Sequence, residues 1–276
     1  MNVVWGVLII AGVTALAVAA MLVVRRTAPD GSYFADGDRA AGVFGVLATG
    51  FSVLLGFVIF LAFTSYDQAR SGAEQEALVL VQQVETAQFF PPRFQSELTG
   101  ELVCYGRSVA TGEWTRMRNG TQIDAPNPWA IALFHTLGKV QPKTSSEQSA
   151  YSKWLDQTSA REEARRDRIH GADGVIPVPL WVVLFFAAGV IFVFMLFFAD
   201  SGEGAVTQGV LMGSAVSVIA AMLLLLGVLD SPFRSGVGGL RPVAMERSLR
   251  IADQALRAVG QVHALPCDAN GVALRR

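Results

Sequence analysis

Four long apolar segments alternate with polar ones along the chain and set its organisation. A helix needs about 20 apolar residues to cross the roughly 30 Å apolar core of a bilayer, and each segment meets that length. None contains Asp, Glu, Lys or Arg, whereas a buried helix of a soluble protein usually keeps a polar stripe. The pattern therefore predicts four transmembrane helices, at Val3–Val24, Gly42–Ser65, Pro179–Ala199 and Val206–Leu229.

The second apolar segment passes into a polar one without a proline between them, in the stretch VLLGFVIFLAFTSYDQARSGAEQEA at residues 53–77. Beyond it, Ala73, Ala77, Leu80 and Val84 recur at helical spacing. We therefore predict one helix of about 45 residues that leaves the bilayer near Thr64. Pro91 and Pro92 end the predicted helix.

The polar parts of the chain are also predicted to be helical. Amphipathic or proline-initiated patterns predict helices at Phe94–Val109, Pro128–Leu137, Ser146–Ile169 and Met245–Val259. Strand signals are scarce, so the expected fold is an all-α membrane protein. Its predicted parts are a transmembrane hairpin (residues 1–65), a helical extramembrane domain (66–178), a second transmembrane hairpin (179–229) and an amphipathic tail (230–276).

Composition agrees with a membrane protein and excludes one class of partner. Hydrophobic residues make up 52% of the chain and charged residues 16%, whereas a soluble domain carries about a quarter charged residues. A net charge of −1 gives no reason to expect nucleic-acid binding. The lipid bilayer is the expected partner.

The arginines near the span ends bear on orientation, because positive residues favour the cytoplasmic side. With the N-terminus inside, seven arginines would be cytoplasmic and three would not; the seven are Arg70, Arg165, Arg166, Arg168, Arg234, Arg241 and Arg247, and the three are Arg25, Arg26 and Arg39. The pair that follows the first span argues the other way. The balance favours a multi-pass protein of the bacterial inner membrane, with both termini and residues 66–178 in the cytoplasm.

Two further features of the extramembrane parts have alternative interpretations. Arginines and acids mix at helix-pairing distances in AREEARRDRIHG, residues 160–171, which indicates either a solvated helix face or an anchor for anionic headgroups. Cys104 and Cys267 are far apart and form no CxxC pair, so two unpaired thiols are expected. A disulfide would require both segments to face an oxidising compartment.

Candidate catalytic chemistry is lacking in the sequence. His135, His170 and His263 are scattered and match no metal-ligand spacing. The glycine-rich stretches lack the context of a phosphate-binding loop, and no nucleophile elbow occurs. We expect no enzyme activity, no metal and no cofactor.

Two patterns within the spans could serve packing or transport. Gly209, Gly213, Ser217 and Ala221 recur every four residues in the fourth span, which favours close helix packing within one chain or between subunits. In the second span a bulky apolar stripe is formed by Phe51, Leu55, Ile59 and Phe63. That stripe is typical of a packed or lipid-facing surface, or of a pore lining that gates ions by dewetting.

Three stretches resemble the bestrophin-like family of bacterial membrane proteins. They are GFVIFLAFTSYDQARSGAEQEA at 56–77, Glu113–Trp114 with Met117 following, and LDSPFRSG at 229–236. Bestrophins are pentameric anion channels with four spans, cytoplasmic termini and a pore lined by the second span. The resemblance thus implies that the constriction falls on the stripe of the second span. The acidic calcium clasp of the animal channels has no counterpart, since only Asp230 and Glu246 lie near LDSPFRSG, and calcium gating is not expected.

Two functions follow as hypotheses. The first is a homo-oligomeric channel for an inorganic ion, with the second span lining its pore. The alternative is a non-conducting membrane anchor or scaffold whose extramembrane helices bind a partner protein.

Overall fold

The computed structural model describes residues 3–172, 174–258, 260 and 265–274. Within these residues the secondary structure is helical, with one isolated bridge between Cys267 and Ala273. A π-helical turn spans Val109–Glu113. The helices are α1 Val3–Arg25, α2 Gly37–Ala87, α3 Pro92–Ser108, α4 Trp114–Arg118, α5 Pro128–Leu137, α6 Ser145–His170, α7 Val178–Phe197, α8 Ala205–Leu229 and α9 Val243–Ala258.

The all-α fold confirms the prediction from the sequence, and the four spans correspond to α1, the first part of α2, α7 and α8. Each is long and apolar enough to cross a membrane. The predicted polar helices correspond to α3, α5, α6 and α9 within a few residues. Val259, the predicted last residue of the tail helix, lies outside the described residues.

Helix α2 is continuous over 51 residues, through the change from apolar to polar sequence. Gly72 does not interrupt it; instead it allows close packing against α6. A Cβ at this position would lie 2.7 Å from the carbonyl oxygen of Ala164 and 2.7 Å from the backbone nitrogen of Arg168. The close packing of α2 against α6 thus requires a glycine at this position.

The chain divides into two compact units. The membrane unit comprises the described residues up to Ser65 together with Gly174–Asp230 and Gly236–Gly238. The extramembrane unit comprises residues 66–172, Ser231–Ser235 and the described residues from Gly239 onwards.

Two sets of contacts organise the membrane unit. Helix α1 packs along α8, with Ala17 and Met21 buried against Met212 and Val216. The second set forms where one face of α2 meets α7 and α8, and its buried residues are Phe51, Leu55, Val58, Ala62, Leu184, Ile191 and Leu226. Much of the remaining apolar surface of the spans is exposed, as lipid or neighbouring subunits would require.

The extramembrane unit has its own hydrophobic core. The polar half of α2 contributes Leu80 and Val84, which pack against α3, α5 and α6 residues such as Leu102, Leu133 and Trp154. The rings of Phe90 and Trp154 meet edge to face, with centroids 5.6 Å apart. The unit therefore buries enough apolar surface to form a globular domain.

Candidate functional site

The bulky stripe of the second span does not lie on one surface of the subunit. Phe51 and Leu55 are buried, at 6% and 1% exposure, in the cluster with α7 and α8. Ile59 is partly buried beside that cluster, and Phe63 is 52% exposed. Residues spaced by four advance about 40° beyond a full turn at each step, so Phe51 and Phe63 point about 120° apart. The burial of Phe51 and Leu55 argues against their lining a pore.

A different face of the same span is open. Val53, Phe57 and Phe60 are 68%, 59% and 63% exposed. Their spacing of i, i+4 and i+7 places them within about 60° of one another around the helix axis. The apolar part of α2 around them carries no charged residue. The sequence pattern alone missed this face, because it gives no indication of which apolar side of a span is covered by the other helices.

The first two small residues of the fourth span, Gly209 and Gly213, lie where α8 packs on α1. A Cβ at Gly213 would lie 3.4 Å from both Thr14 Cγ2 and Val18 Cγ2, and one at Gly209 would lie 3.6 Å from Val18 Cγ1. Ser217 is partly exposed and donates to the carbonyl oxygen of Ser214, and Ala221 is exposed. Gly209 and Gly213 thus serve packing within the chain.

The extramembrane unit contains a buried network of charged side chains centred on Arg168. Its Nε donates to Glu76 Oε2 at 2.5 Å, and its Nη2 donates to Glu113 Oε2 at 2.6 Å. Arg165 Nη2 donates to the other oxygen of Glu113 at 2.9 Å. At its centre, two arginines thus face two carboxylates away from solvent.

Neutral side chains and a third buried arginine, Arg161, complete the network. Tyr105 donates its hydroxyl to Glu76 Oε1 at 2.5 Å, and Asn127 donates to Glu113 Oε1 at 3.0 Å. Arg161 Nη1 donates to Gln83 at 2.8 Å, and its guanidinium group lies over the Tyr105 ring. Because partners surround both carboxylates, the network fixes helices α2, α3 and α6 against one another.

The pKa values of the network follow from these contacts. Burial opposes the charge of Glu113, but the adjacent Arg168 and Arg165 outweigh it and lower the pKa of that carboxyl below its ordinary value. Burial and the neighbouring Glu76 charge raise the pKa of Tyr105 well above its ordinary value. At neutral pH Glu113 is therefore ionised and Tyr105 is a neutral hydrogen-bond donor.

This network changes the interpretation of the charged run at the end of α6. Arg161, Arg165 and Arg168 are buried, whereas Arg166 is exposed. Neither a solvated face nor a headgroup anchor describes the buried three. The sequence pattern pairs residues along one helix, whereas the partners of Arg165 and Arg168 lie on other elements.

The residues that carried the family resemblance also have structural roles. The Trp114 ring packs on Phe233 at 5.3 Å between centroids, and its Nε1 donates to the Leu240 carbonyl oxygen at 3.2 Å. Asp230 Oδ1 accepts from the backbone nitrogens of Val175 and Ile176 at 2.8 and 2.9 Å, just before α7 begins. These residues position chain segments and do not form a reactive centre.

The two cysteines are paired, which corrects the expectation of free thiols. Cys104 of α3 and Cys267 of the tail form a disulfide within the extramembrane unit. The tail approaches α3 so closely that a Cβ at Gly271 would lie 2.8 Å from the carbonyl oxygen of Cys104. The pairing could not be inferred from the sequence, since the two cysteines are 163 positions apart.

Other candidate chemistry does not converge in the described residues. They contain no group of three or more His, Cys, Asp or Glu side chains that could hold a metal ion. His135 and His170 are exposed and distant in sequence, and His263 lies outside the described residues. The expectation of no metal or cofactor stays a prediction.

Four apolar helices joined to a helical polar unit define a polytopic all-α membrane protein. A Bestrophin-like domain model matches residues 11–245, and the chain belongs to that family. No curated protein sequence matches it.

Solved structures of similar fold include the bacterial Bestrophin homologue from Klebsiella pneumoniae. One structure of a point mutant is 13% identical, has a TM-score of 0.70, and is matched over 91% of this chain and 99% of the homologue. A second, phased by Zn-SAD, is 13% identical, with a TM-score of 0.67 and coverage of 95% and 100%. At this identity the likeness establishes the fold.

Proposed function

We propose that the protein is a homo-oligomeric ion channel of the bacterial inner membrane, with a pore lined by the apolar part of α2. Membership of the Bestrophin-like family and the shared fold with a bacterial Bestrophin homologue support this function. The observation that carries the proposal is the exposed, charge-free face of α2 at Val53, Phe57 and Phe60.

An oligomer is required because one helix per chain cannot enclose a pore. In a ring of subunits the lining residues face the symmetry axis, so they must be exposed on the isolated subunit. Phe57 and Phe60 meet this condition, whereas Phe51 and Leu55 do not. Bulky apolar rings of this kind gate ion flow by excluding water from the narrowest part of the pore. Phe63, also exposed, flanks the same face.

The experiment that tests the proposal measures subunit number and current on the same preparation. The full chain is purified in detergent, its mass is determined by light scattering, and it is then incorporated into planar bilayers. We expect a stable oligomer of three or more copies and discrete ion currents. A monomer or dimer without current would overturn the proposal.

A groove in the extramembrane unit favours the second candidate, the non-conducting anchor. Its apolar floor combines α2 residues such as Ala77 and Val81 with Ala244 of α9. Three arginines and one acid also line it, namely Arg70, Arg241, Arg247 and Glu74, and Glu74 pairs with Arg70. A groove of about 540 Å³ with this composition suits an amphipathic helix with acidic residues. The same preparation separates the two candidates, because an anchor gives no current in any oligomeric state.

A further inference from the structure

The disulfide between Cys104 and Cys267 joins the only two cysteines of the chain. Cys104 is fully buried in α3, and Cys267 is 4% exposed. The pair lacks the CxxC spacing and the exposure that redox-active cysteines need. Its burial and its long sequence separation are instead those of a structural cross-link.

Non-covalent contacts on both sides of the bond hold the tail in the same place. Arg107 Nη1 donates to the Asp268 carbonyl oxygen at 3.0 Å, and Trp129 Nε1 donates to the Gly271 carbonyl oxygen at 2.7 Å. Thr111 Oγ1 donates to the carbonyl oxygen of Asn270 at 2.9 Å. Gly271 has a positive φ of 76° and no room for a Cβ, which would clash with the backbone nitrogen of Ser108. The disulfide therefore lies within an interface between the tail and α3 that hydrogen bonds and close backbone packing also stabilise.

A buried structural disulfide indicates that the segments it joins face an oxidising compartment. Its formation removes two protons and two electrons from the thiols, and a disulfide-exchange catalyst of an oxidising compartment accepts them. In the cytoplasm thiol reductants keep such pairs reduced, and lasting structural disulfides are rare there. The bond thus argues that residues 66–172 and the tail face the extracytoplasmic side.

Span topology extends this argument to the rest of the chain. Helices α7 and α8 lie between the two segments that the bond joins, and two spans return the chain to its starting side. Because α1 and the first part of α2 are also two spans, the N-terminus lies on that side too. The short connections between α1 and α2, and between α7 and α8, then face the cytoplasm.

The distribution of arginines is compatible with this orientation once burial is considered. Arg165 and Arg168, counted for the cytoplasm by sequence, are buried and bound to Glu113 and Glu76. Segments longer than about 60 residues cross membranes largely regardless of charge, and residues 66–172 exceed that length. The rule applies best to short connections, and the connection between α1 and α2 is flanked by Arg25, Arg26 and Arg39.

We propose that the extramembrane unit is extracytoplasmic and is closed there by the Cys104–Cys267 disulfide. This places both termini opposite to the side that the seven-to-three arginine balance and the bestrophin resemblance imply. The proposal is independent of ion conduction, since an anchor would need the same orientation for the bond to form.

Reporter fusions to the full chain, expressed in a Gram-negative host, test on which side of the inner membrane the C-terminus lies. Alkaline phosphatase at the C-terminus folds only where it can be oxidised, whereas green fluorescent protein exported in the unfolded state does not fluoresce. We expect an active phosphatase fusion and a dark fluorescent-protein fusion. A fluorescent fusion together with an inactive phosphatase would overturn the proposal.

Thiol labelling of the unfused protein tests the bond itself. Cells are quenched in acid, denatured, and treated with maleimide-polyethylene glycol with or without prior reduction. We expect no mass shift without reduction and two additions after it, while C104S and C267S each give one addition in both conditions. Two additions without reduction would overturn the disulfide even where the phosphatase fusion is active. The single-cysteine variants keep the test valid, since each reports labelling of denatured chains whether or not it folds well.

Discussion

Arg168 and Glu76 form a fully buried ion pair between α6 and the polar half of α2, with two hydrogen bonds of 2.5 and 3.1 Å. Both side chains have no exposed surface. A pair at this depth owes its net effect to the matched partners, because each charge alone would be costly to bury. We therefore expect that replacing only one of the two residues destabilises the protein more than replacing both with apolar residues.

Without the Glu76 charge, the buried Arg168 and Arg165 share the single carboxylate of Glu113, and the buried network loses its charge balance. We expect Glu76→Gln to destabilise the extramembrane unit by about 3–5 kcal/mol. Thermal unfolding of the detergent-solubilised protein, followed by circular dichroism, measures the change. Glu74→Gln is the matched control, because Glu74 forms an exposed pair with Arg70 one turn apart on the same helix. An unchanged melting temperature in Glu76→Gln would show that the pair does not hold the unit together.

Gly72→Ala tests the close approach of α2 and α6. The added methyl group would lie 2.7 Å from backbone atoms of Ala164 and Arg168, which cannot move without shifting a helix. We expect a loss of about 1–3 kcal/mol, as for other overpacked sites. Gly56→Ala, where nothing lies within 4 Å, should not lower the melting temperature. Equal stability of the two variants would contradict the packing at Gly72.

Glu101 predicts a specific dependence of stability on pH. Burial raises the pKa of this carboxyl to about 7, despite the hydrogen bond that Thr136 donates. Its second oxygen has no hydrogen-bond partner. Between the ordinary pKa of 4.5 and about 7 the unfolded chain releases a proton that the folded chain keeps. Stability must therefore fall as the pH rises through this interval.

The measurement compares melting temperatures from pH 5 to pH 8 in three proteins. Glu101→Gln should show a smaller decrease over this interval than the unmodified protein, because the glutamine carries no proton to lose. Glu85→Gln serves as the control, since Glu85 is exposed, and its profile should match that of the unmodified protein. Parallel profiles for all three proteins would rule out the raised pKa.

Two substitutions on α2 separate its two apolar faces. Phe57→Ala should change conductance with little effect on stability, because the side chain is exposed on the subunit and widening a pore there weakens dewetting. Leu55→Ala should lower stability by about 2–5 kcal/mol through the cavity that it leaves, with single-channel conductance unchanged. Bilayer recordings and thermal unfolding of both variants provide the check. The reverse result would restore the stripe of Phe51, Leu55, Ile59 and Phe63 as the lining.

Gly213→Leu tests the packing of α8 on α1. A Cβ at this position would lie 3.4 Å from Thr14 Cγ2 and Val18 Cγ2, so the larger leucine side chain must push the helices apart. We expect a loss of about 1–3 kcal/mol. Gly189→Leu on α7 is the control, because nothing lies within 4 Å of its Cβ position. If both variants melt at the same temperature, the contact at Gly213 contributes nothing to stability.

The spans and the continuous α2 could be predicted from sequence because local chemistry determines them. An uncharged apolar run has few alternatives to a helix in lipid, and the periodicity after Tyr66 kept the same helical register. Even the short helix Pro128–Leu137 follows from a proline at its first position and an apolar pattern.

The residues that matter most to the candidate sites depend on contacts distant in sequence. Glu76 meets Arg168 across 92 residues, and Cys104 meets Cys267 across 163. Neither pairing produces a periodic pattern in the sequence, so the run that contains Arg165 and Arg168 was interpreted as a solvated face or a headgroup anchor. The open face at Phe57 was missed for a related reason. Helices α7 and α8 cover Leu55 through tertiary contacts, which the local sequence pattern does not indicate.

The segment at residues 265–274 lies beyond the end of the Bestrophin-like match at residue 245. It nevertheless supplies the backbone acceptors for Arg107 and Trp129 and one half of the disulfide. A chain truncated at the family boundary would leave the Trp129 indole N–H and the Arg107 guanidinium group without these acceptors. It would also leave Cys104 as an unpaired thiol. Expression designs should retain the chain through Leu274 and attach tags after it.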